Sequence, residues 1–280
     1  MSRVRFQSSL VLAALCGMGS IAEGQGNPLS PVRERGQSVT PVFEGWYKNA
    51  DGSYSLSFGY MNRNEAEVVD IPLGPANFVS PGEWDGAQPT AFHPRRHWGV
   101  FAVRVPADFG KKRVRWTLVV RGDSISIPGS LATQWEIDAL QGEAGSGNTP
   151  PQLRFVASGP SGSGPGGVYA EPRTVAVNVP LSIDVWATDD GTARPTAGGA
   201  GRAGIPVTLT WFKHQGTGAV TFGAISPKVD GAGKASTTAT FAEAGSYILR
   251  VRANDASGVA SAGHAQCCWS NAFVKVTVTR

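Results

Sequence analysis

Charged residues, cysteines and long apolar runs are all scarce in this sequence. Charged residues make up only 16% of its 280 positions, against 41% hydrophobic residues, which is the reverse of the balance that keeps a chain disordered. No apolar run approaches the roughly 20 residues that a membrane-spanning helix needs. The composition therefore predicts a chain that folds and that carries no membrane span.

The three cysteines are Cys16, Cys267 and Cys268. Closed zinc sites need four ligands at characteristic spacings, so two adjacent thiols are a weak metal signal. In an oxidising compartment Cys267 and Cys268 are candidates for a vicinal disulfide, and free thiols or pairing between chains are the alternatives.

Glycine and proline, by contrast, are abundant, at 36 and 19 residues. Both interrupt helices, so the composition argues against helical arrays and coiled coils. At a typical domain size of roughly 150 residues, the length predicts about two domains, each with enough apolar material for its own core.

Residues 1–22 have the features of a signal peptide. Arg3 and Arg5 precede an apolar run at 10–15, and small residues follow at 20 and 22, where a signal peptidase would cut. We therefore expect export to the periplasm or the extracellular space.

The charge is close to neutral without this segment. The chain has 25 basic and 21 acidic residues, and residues 1–22 hold two of the basic ones and none of the acidic ones. Binding to nucleic acid normally requires a strong basic footprint. The sequence therefore predicts no nucleic-acid partner.

Residues 38–138 show the period of two that is typical of β-strands. After a flexible lead-in at 23–37, a hairpin is predicted whose second strand alternates Tyr54, Leu56, Phe58 and Tyr60 with serine or glycine. Similar alternation recurs at 101–105 and 114–127. The pattern predicts a β-sandwich-like domain.

A Gly/Ser/Pro-rich linker region is predicted at 139–167, with a short strand candidate at 153–157. The second domain is predicted at 168–280. Its strand candidates are 181–187, 207–212, 235–241, 247–253 and 273–278. Regular short strands separated by turn residues favour a second sandwich, so the fold class is all-β with two sandwich-like domains.

The segments 230–241 and 244–251 resemble the later strands of bacterial immunoglobulin-like and polycystic-kidney-disease-like repeats. The resemblance covers about residues 205–280 and implies an immunoglobulin-like sandwich with Tyr247 as its corner tyrosine. In the first half, the segments 43–47 and 93–96 resemble parts of uncharacterised exported bacterial proteins. Immunoglobulin-like repeats commonly serve as spacers, adhesive modules or accessory domains of extracellular enzymes. The resemblance therefore implies a fold and says little about chemistry.

The stretch 72–96 is the strongest candidate for a binding loop. It holds five prolines and shows no alternation, and long irregular loops are usually functional or mobile. Trp84 could stack on a sugar while polar neighbours supply directional hydrogen bonds, or the aromatic residues could cap the core instead. The candidate ligand-binding residues are Trp84, Asp85, Gln88, Phe92, Arg95 and Arg96.

His93 and His97 have the four-residue spacing of a helical metal site. Pro94 and the surrounding strand pattern argue against a helix there. No serine lies in a nucleophile elbow between a strand and a helix. No catalytic residue is therefore predicted.

Two further patterns have structural alternatives. Asp189, Asp190 and Asp255 could hold calcium at one end of the second sandwich, although ordinary turn chemistry is the interpretation that we favour. Residues 121–123 match the integrin-binding tripeptide, and we interpret them as a tight hairpin turn. Calcium is thus the one cofactor that the sequence leaves open.

Together, these observations favour a non-enzymatic binding, adhesive or structural module with a polysaccharide or protein partner at the cell surface. One alternative is an extracellular hydrolase, with or without a metal, whose ligands would be His93, His97 and distant acids. Another alternative is a subunit of a surface assembly that pairs through Cys267 or Cys268.

Overall fold

A computed structural model describes residues 33–137, 149–190, 207–255 and 269–280. Within these ranges the regular structure is β-strand apart from two short 3-10 helices, Gly82–Trp84 and Thr133–Trp135. No helix in these ranges has the length and the apolar character needed to cross a membrane. The predicted all-β fold is confirmed. The predicted signal peptide, Cys267 and Cys268 lie outside the described residues.

The first sandwich consists of two three-stranded antiparallel sheets and a two-stranded ladder. One sheet has the order β1-β2-β6, the other has the order β4-β7-β8, and β3 pairs with β5. The strands are β1 Val39–Lys48, β2 Tyr54–Asn62, β3 Val69–Asp70, β4 Asn77–Ser80, β5 Ala91–Phe92, β6 Arg95–Val105, β7 Val114–Val120 and β8 Asp123–Gly129.

Aromatic side chains from both sheets fill the core of the first sandwich. Phe58 of β2 stacks on Phe101 of β6 with ring centroids 5.4 Å apart, and Trp116 of β7 meets Phe101 edge-on at 5.0 Å. All three are essentially unexposed. The alternation in the sequence therefore places one apolar face of each sheet against the other, as expected for a sandwich.

The stretch 72–96 contains more regular structure than its sequence predicts. Both β4 and β5 lie in it, together with the first 3-10 helix. Prolines flank these elements, and each strand is too short to show a period of two, so the pattern conceals them. Pairing of β4 with β7 fixes the stretch to the second sheet.

The second sandwich has a four-stranded and a five-stranded sheet. The first has the order β14-β15-β12-β9, and the second has the order β10-β17-β16-β13, with β11 also paired to β17. The strands are β9 Gln152–Arg154, β10 Val168–Tyr169, β11 Arg173–Ala176, β12 Leu181–Thr188, β13 Thr208–Gln215, β14 Val220–Phe222, β15 Lys234–Phe241, β16 Gly245–Asn254 and β17 Trp269–Thr279.

This strand order is that of an immunoglobulin-like domain. With β9 as strand A, the first sheet reads D-E-B-A, and the second contains the order G-F-C with β10 and β11 added in parallel beside G. Trp211 on strand C is buried. The hydroxyl of Tyr247 donates a hydrogen bond to the Glu243 carbonyl at 2.8 Å, as a corner tyrosine does. The immunoglobulin-like prediction is confirmed for the second sandwich.

Part of the predicted linker belongs to the second sandwich. Strand β9 pairs with β12, and the Ser270 hydroxyl on β17 accepts a hydrogen bond from the Gly164 amide at 2.9 Å. Residues 32–280 form one compact unit that contains two separate hydrophobic cores. Independent folding of the two predicted domains stays a prediction.

Candidate functional site

The predicted binding loop lies against the first sandwich, and its residues differ widely in exposure. Trp84 packs edge-on against Phe109 at 5.4 Å and keeps part of its ring exposed. Gln88 and Phe92 have no exposed surface. Asp85 is exposed, yet its Oδ1 accepts hydrogen bonds from the Val79 amide at 2.8 Å and from Gln88 Nε2 at 2.5 Å. The structure thus uses part of the loop to cap the core.

Arg95 and Arg96 point to different partners. Arg95 is exposed and lies 3.9 Å from Glu65. Arg96 makes a two-pronged contact with the buried Glu44, at 2.6 and 2.7 Å, and donates to the His97 carbonyl at 2.8 Å. Burial raises the pKa of Glu44 to about 7, and the adjacent Arg96 acts in the opposite direction. That these loop residues bind a ligand stays a prediction.

The main chain of the same loop is joined to the edge of the second sandwich. The Thr90 amide donates to the His214 carbonyl at 2.8 Å, which is a main-chain hydrogen bond between the loop and the edge strand β13. Gln215 Nε2 donates to the carbonyls of Gly86 and Gln88 at 2.8 and 2.7 Å. These hydrogen bonds cover part of the edge of β13, which would otherwise be exposed. We call this contact, formed by residues 86–93 and 213–216, the seam.

Three histidines lie at or beside the seam, and each donates its Nε2 hydrogen to a carbonyl. His93 bonds to Lys213 at 3.1 Å, His214 to Ala87 at 2.9 Å, and His97 to Pro94 at 3.1 Å. Burial, aided by the nearby Arg250 guanidinium, lowers the pKa of His93 to about 4 and that of His214 to about 3. The imidazoles are therefore neutral at pH 7.

The arrangement of His93 and His97 bears on the hydrolase alternative. Their ring centroids are 6.1 Å apart, but both Nε2 atoms are committed to carbonyls and so present no lone pair to a metal. Among the residues that the structure describes, no three histidine, cysteine, aspartate or glutamate side chains are grouped to hold a metal ion.

A buried guanidinium continues the contact between the sandwiches. Arg250 is 1% exposed and lies 4.5 Å from the Phe212 ring centroid. It donates to Asn271 Oδ1 at 3.0 Å, and Asn271 Nδ2 donates to the Gly99 carbonyl of the first sandwich at 2.7 Å. Burial lowers the pKa of Arg250 to about 9. Charge is tolerated here because aromatic and amide groups surround it.

A polar cleft of about 430 Å³ opens beside this contact. Its wall includes Tyr47 and Arg104 from the first sandwich, and Tyr169 from the second. The Tyr47 hydroxyl accepts a hydrogen bond from the Gly166 amide at 3.1 Å, and burial raises the pKa of the phenol. The Tyr169 ring stacks on Phe273 at 4.8 Å.

A second surface, beside β1 and around Trp135, was not predicted from the sequence. Trp135, on the second 3-10 helix, is 42% exposed and meets Phe43 at a centroid distance of 5.5 Å. It forms part of a groove of about 490 Å³. The sequence offers one indication of this surface. Trp135 stands between polar residues, outside any alternating pattern, and close to the predicted linker.

The segment that carries Trp135 is fixed from both sides. The Trp46 indole N–H donates to the Ala132 carbonyl at 2.9 Å, and the Ile137 amide donates to the Trp46 carbonyl at 2.7 Å. Gly45 has φ +134°, and a Cβ there would lie 2.4 Å from the Trp135 carbonyl oxygen. Only glycine permits this approach, so the bulge in β1 positions the tryptophan.

The remaining sequence candidates have ordinary structural partners where the structure describes them. Residues 121 and 122 both have positive φ, which makes the 121–123 tripeptide part of a two-residue hairpin turn. Asp190 Oδ2 accepts hydrogen bonds from the amide and the hydroxyl of Thr149, at 2.9 and 2.7 Å. Calcium binding by Asp189, Asp190 and Asp255 stays a prediction.

Comparisons with known proteins give a remote set of structures. No family model and no curated protein matches the chain. The D0-D1 domain of Intimin aligns with a TM-score of 0.27 and 11% identity, covering 86% of this chain and 98% of that one. Domains 4 and 5 of the S-layer protein SbsC align with a TM-score of 0.24 and 12% identity, covering 87% and 98%.

The fibronectin(III)-like modules of Clostridium thermocellum CbhA align with a TM-score of 0.22 and 12% identity, covering 86% of this chain and 94% of that one. At TM-scores this low, none of these likenesses carries an argument. The immunoglobulin-like character of the second sandwich rests on its own strand order and corner tyrosine.

Proposed function

We propose that this chain is a non-enzymatic structural and adhesive module of the cell envelope or the extracellular space, built as a rigid pair of sandwiches. The observation that carries the proposal is the hydrogen bond from the Thr90 amide to the His214 carbonyl, which joins the main chain of the first sandwich to the edge strand of the second. The charged start of the chain and its apolar run at 10–15 support export.

The seam supports a rigid orientation of the two sandwiches, because several directional hydrogen bonds join them. Domain interfaces within one chain are usually mobile unless they are extensive. Here side-chain bonds flank the backbone bond, and Lys213 Nζ lies 3.0 Å from Asp70 Oδ1. A hinge motion would break these contacts together and would expose the buried Arg250. A module built this way transmits an orientation from one domain to the next, which suits a spacer or an adhesin stalk.

Backbone ¹⁵N relaxation measured on residues 23–280 tests the proposal. We expect both sandwiches to tumble with one rotational correlation time. The double variant His214→Ala/Gln215→Ala, which removes three seam bonds, should give two separable correlation times. The exposed Thr221→Ala is the matched control and should behave as the wild type. Independent tumbling of the wild-type sandwiches would overturn the proposal.

The finer prediction, polysaccharide binding through the 72–96 loop, keeps one structural support. Part of the Trp84 ring is open to solvent, and the exposed Asp85 lies beside it. Cosedimentation of the chain with insoluble polysaccharides and peptidoglycan, repeated with Trp84→Ala, tests it. Selective retention that the variant loses supports the loop site, and equal retention of both proteins removes it.

A further inference from the structure

An exposed aromatic ring and a run of exposed cations lie at one end of the first sandwich, away from the seam. The groove beside Trp135 adjoins a smaller cavity of about 270 Å³, and the two share Arg113, Ser130 and Ala132 in their walls. Lys111 lines the smaller cavity. We define the Trp135 groove as these two cavities together.

The charge of the groove has one sign. Lys111, Lys112 and Arg113 are exposed, and none of them forms an ion pair with the residues that the structure describes. Neither cavity has a carboxylate among the described residues of its wall. Exposed cations that have no carboxylate beside them attract an incoming anion, with a strength that falls as salt is added.

The aromatic wall suits a flat, partly apolar ligand. Trp135 offers an exposed ring, and the half-buried Val42 and Pro128 extend the apolar surface beside it. Gln134 and Ser130 add neutral polar groups at the same wall. A large apolar face with a few polar groups around it is the general composition of a small-molecule site.

We propose that the Trp135 groove binds an acidic polysaccharide, with the C–H face of a pyranose ring on Trp135 and a uronate carboxylate on Arg113. A guanidinium binds a carboxylate with two parallel hydrogen bonds, which a neutral sugar cannot match. The groove is preformed, because Gly45, Trp46 and Phe43 already fix the Trp135 segment. Preorganisation of this kind lowers the entropic cost of binding.

The inference names a ligand class for the adhesive role proposed above and rests on that role. The two can fail separately, because the groove lies wholly within the first sandwich. Independent tumbling of the sandwiches would leave binding at the groove unchanged, and absence of binding would leave the rigidity of the seam unchanged.

Isothermal titration of residues 23–280 with hexagalacturonate, and with the neutral cellohexaose as its uncharged counterpart, tests the inference. We expect hexagalacturonate to bind more tightly than cellohexaose, with an affinity that falls as salt is added. Trp135→Ala and Arg113→Gln should each weaken hexagalacturonate binding by about ten-fold or more. Trp135→Phe, which keeps a ring against Phe43, should lose less.

Two variants serve as matched controls. Lys228→Gln removes one exposed positive charge from the second sandwich and should leave the affinity unchanged. Trp84→Ala removes the tryptophan of the predicted loop and should also leave it unchanged. Circular dichroism and thermal unfolding of each variant show whether it is folded.

Three results would overturn the inference. They are no measurable binding of hexagalacturonate, equal affinity for the acidic and the neutral hexamer, and binding that Trp135→Ala leaves intact. Loss of binding in Trp84→Ala alone would move the saccharide site to the 72–96 loop.

Discussion

His214 makes the stability of this chain depend on pH, and replacing it with glutamine should remove a defined part of that dependence. In the folded chain burial, the Arg250 guanidinium and His93 lower its pKa to about 3, against a smaller raising effect of the bond to Ala87. Its Nδ1 is buried and has no hydrogen-bond partner among the described residues. A proton added there would create an unpaired buried cation beside Arg250.

The sign and size of the effect follow from the two pKa values. In the unfolded chain the pKa of a histidine is about 6.5. Between pH 6.5 and about 3 the unfolded chain therefore binds a proton at position 214 that the folded chain does not bind, so the free energy of unfolding falls as the pH falls. At about 1.4 kcal/mol per pKa unit, His214 alone should cost about 3 kcal/mol at pH 4 relative to neutral pH.

The variant His214→Gln keeps an amide hydrogen for the Ala87 carbonyl and removes the titration. Urea unfolding of both proteins, followed by tryptophan fluorescence at about pH 7 and about pH 4, measures the difference. We expect the wild type to lose about 3 kcal/mol more than the variant over this interval. Glu44, whose pKa is raised to about 7, acts in the opposite sense in both proteins and cancels from the comparison.

Thr90→Val is the control, because it removes a hydrogen bond of the seam that involves no titratable group. The Thr90 hydroxyl accepts a hydrogen bond from the Gly216 amide at 3.2 Å. Its loss should lower the free energy of unfolding equally at both pH values. Parallel pH profiles for the wild type and His214→Gln would refute the reasoning, because they would mean that the imidazole is solvated or leaves the seam before the chain unfolds.

Three further substitutions check a close contact and the corner tyrosine. At Gly99, φ is +48° and a Cβ would lie 2.6 Å from the Trp269 ring, so Gly99→Ala should cost about 3 kcal/mol in chemical unfolding. Gly110→Ala, with φ +61° and no atom closer than 3.7 Å, should cost only about 1 kcal/mol, and equal costs would contradict the close contact. Tyr247→Phe removes the bonds to the Glu243 carbonyl and from the Gly218 amide, and should lower the free energy of unfolding by about 2 kcal/mol. An unchanged urea midpoint would contradict the corner role of Tyr247.

The long strands could be predicted because their apolar side chains alternate along the chain and so lie on the face that meets the core. Tyr54, Leu56, Phe58 and Tyr60 alternate in the sequence because β2 packs one side against the core. The same reasoning located the strands of the second sandwich, and the tyrosine after a glycine-containing turn indicated its corner. Strands of two to four residues, such as β4 and β5, cannot show a period and were hidden among prolines.

The seam could not be predicted, because most acceptors of its hydrogen bonds are main-chain carbonyls, which every sequence has. Nothing in the residues 86–90 specifies that their carbonyls and amides meet β13 more than 120 positions later. The histidines were noticed for their spacing, whereas the structure uses them singly, each as a donor to one carbonyl.

Trp135 illustrates the complementary difficulty. A tryptophan beside a Gly/Ser/Pro-rich region has no pattern around it, and its exposure depends on Gly45, some 90 positions earlier, which lets its segment approach β1. Lys111, Lys112 and Arg113 are exposed, and each of them taken alone is an ordinary surface charge. The fold places Arg113 in the same groove wall as the Trp135 indole, so that one acidic ligand can contact both side chains. A binding surface of this kind is a property of two distant segments together, so a test that varies one residue from each segment, Trp135 and Arg113, is the one that can reveal it.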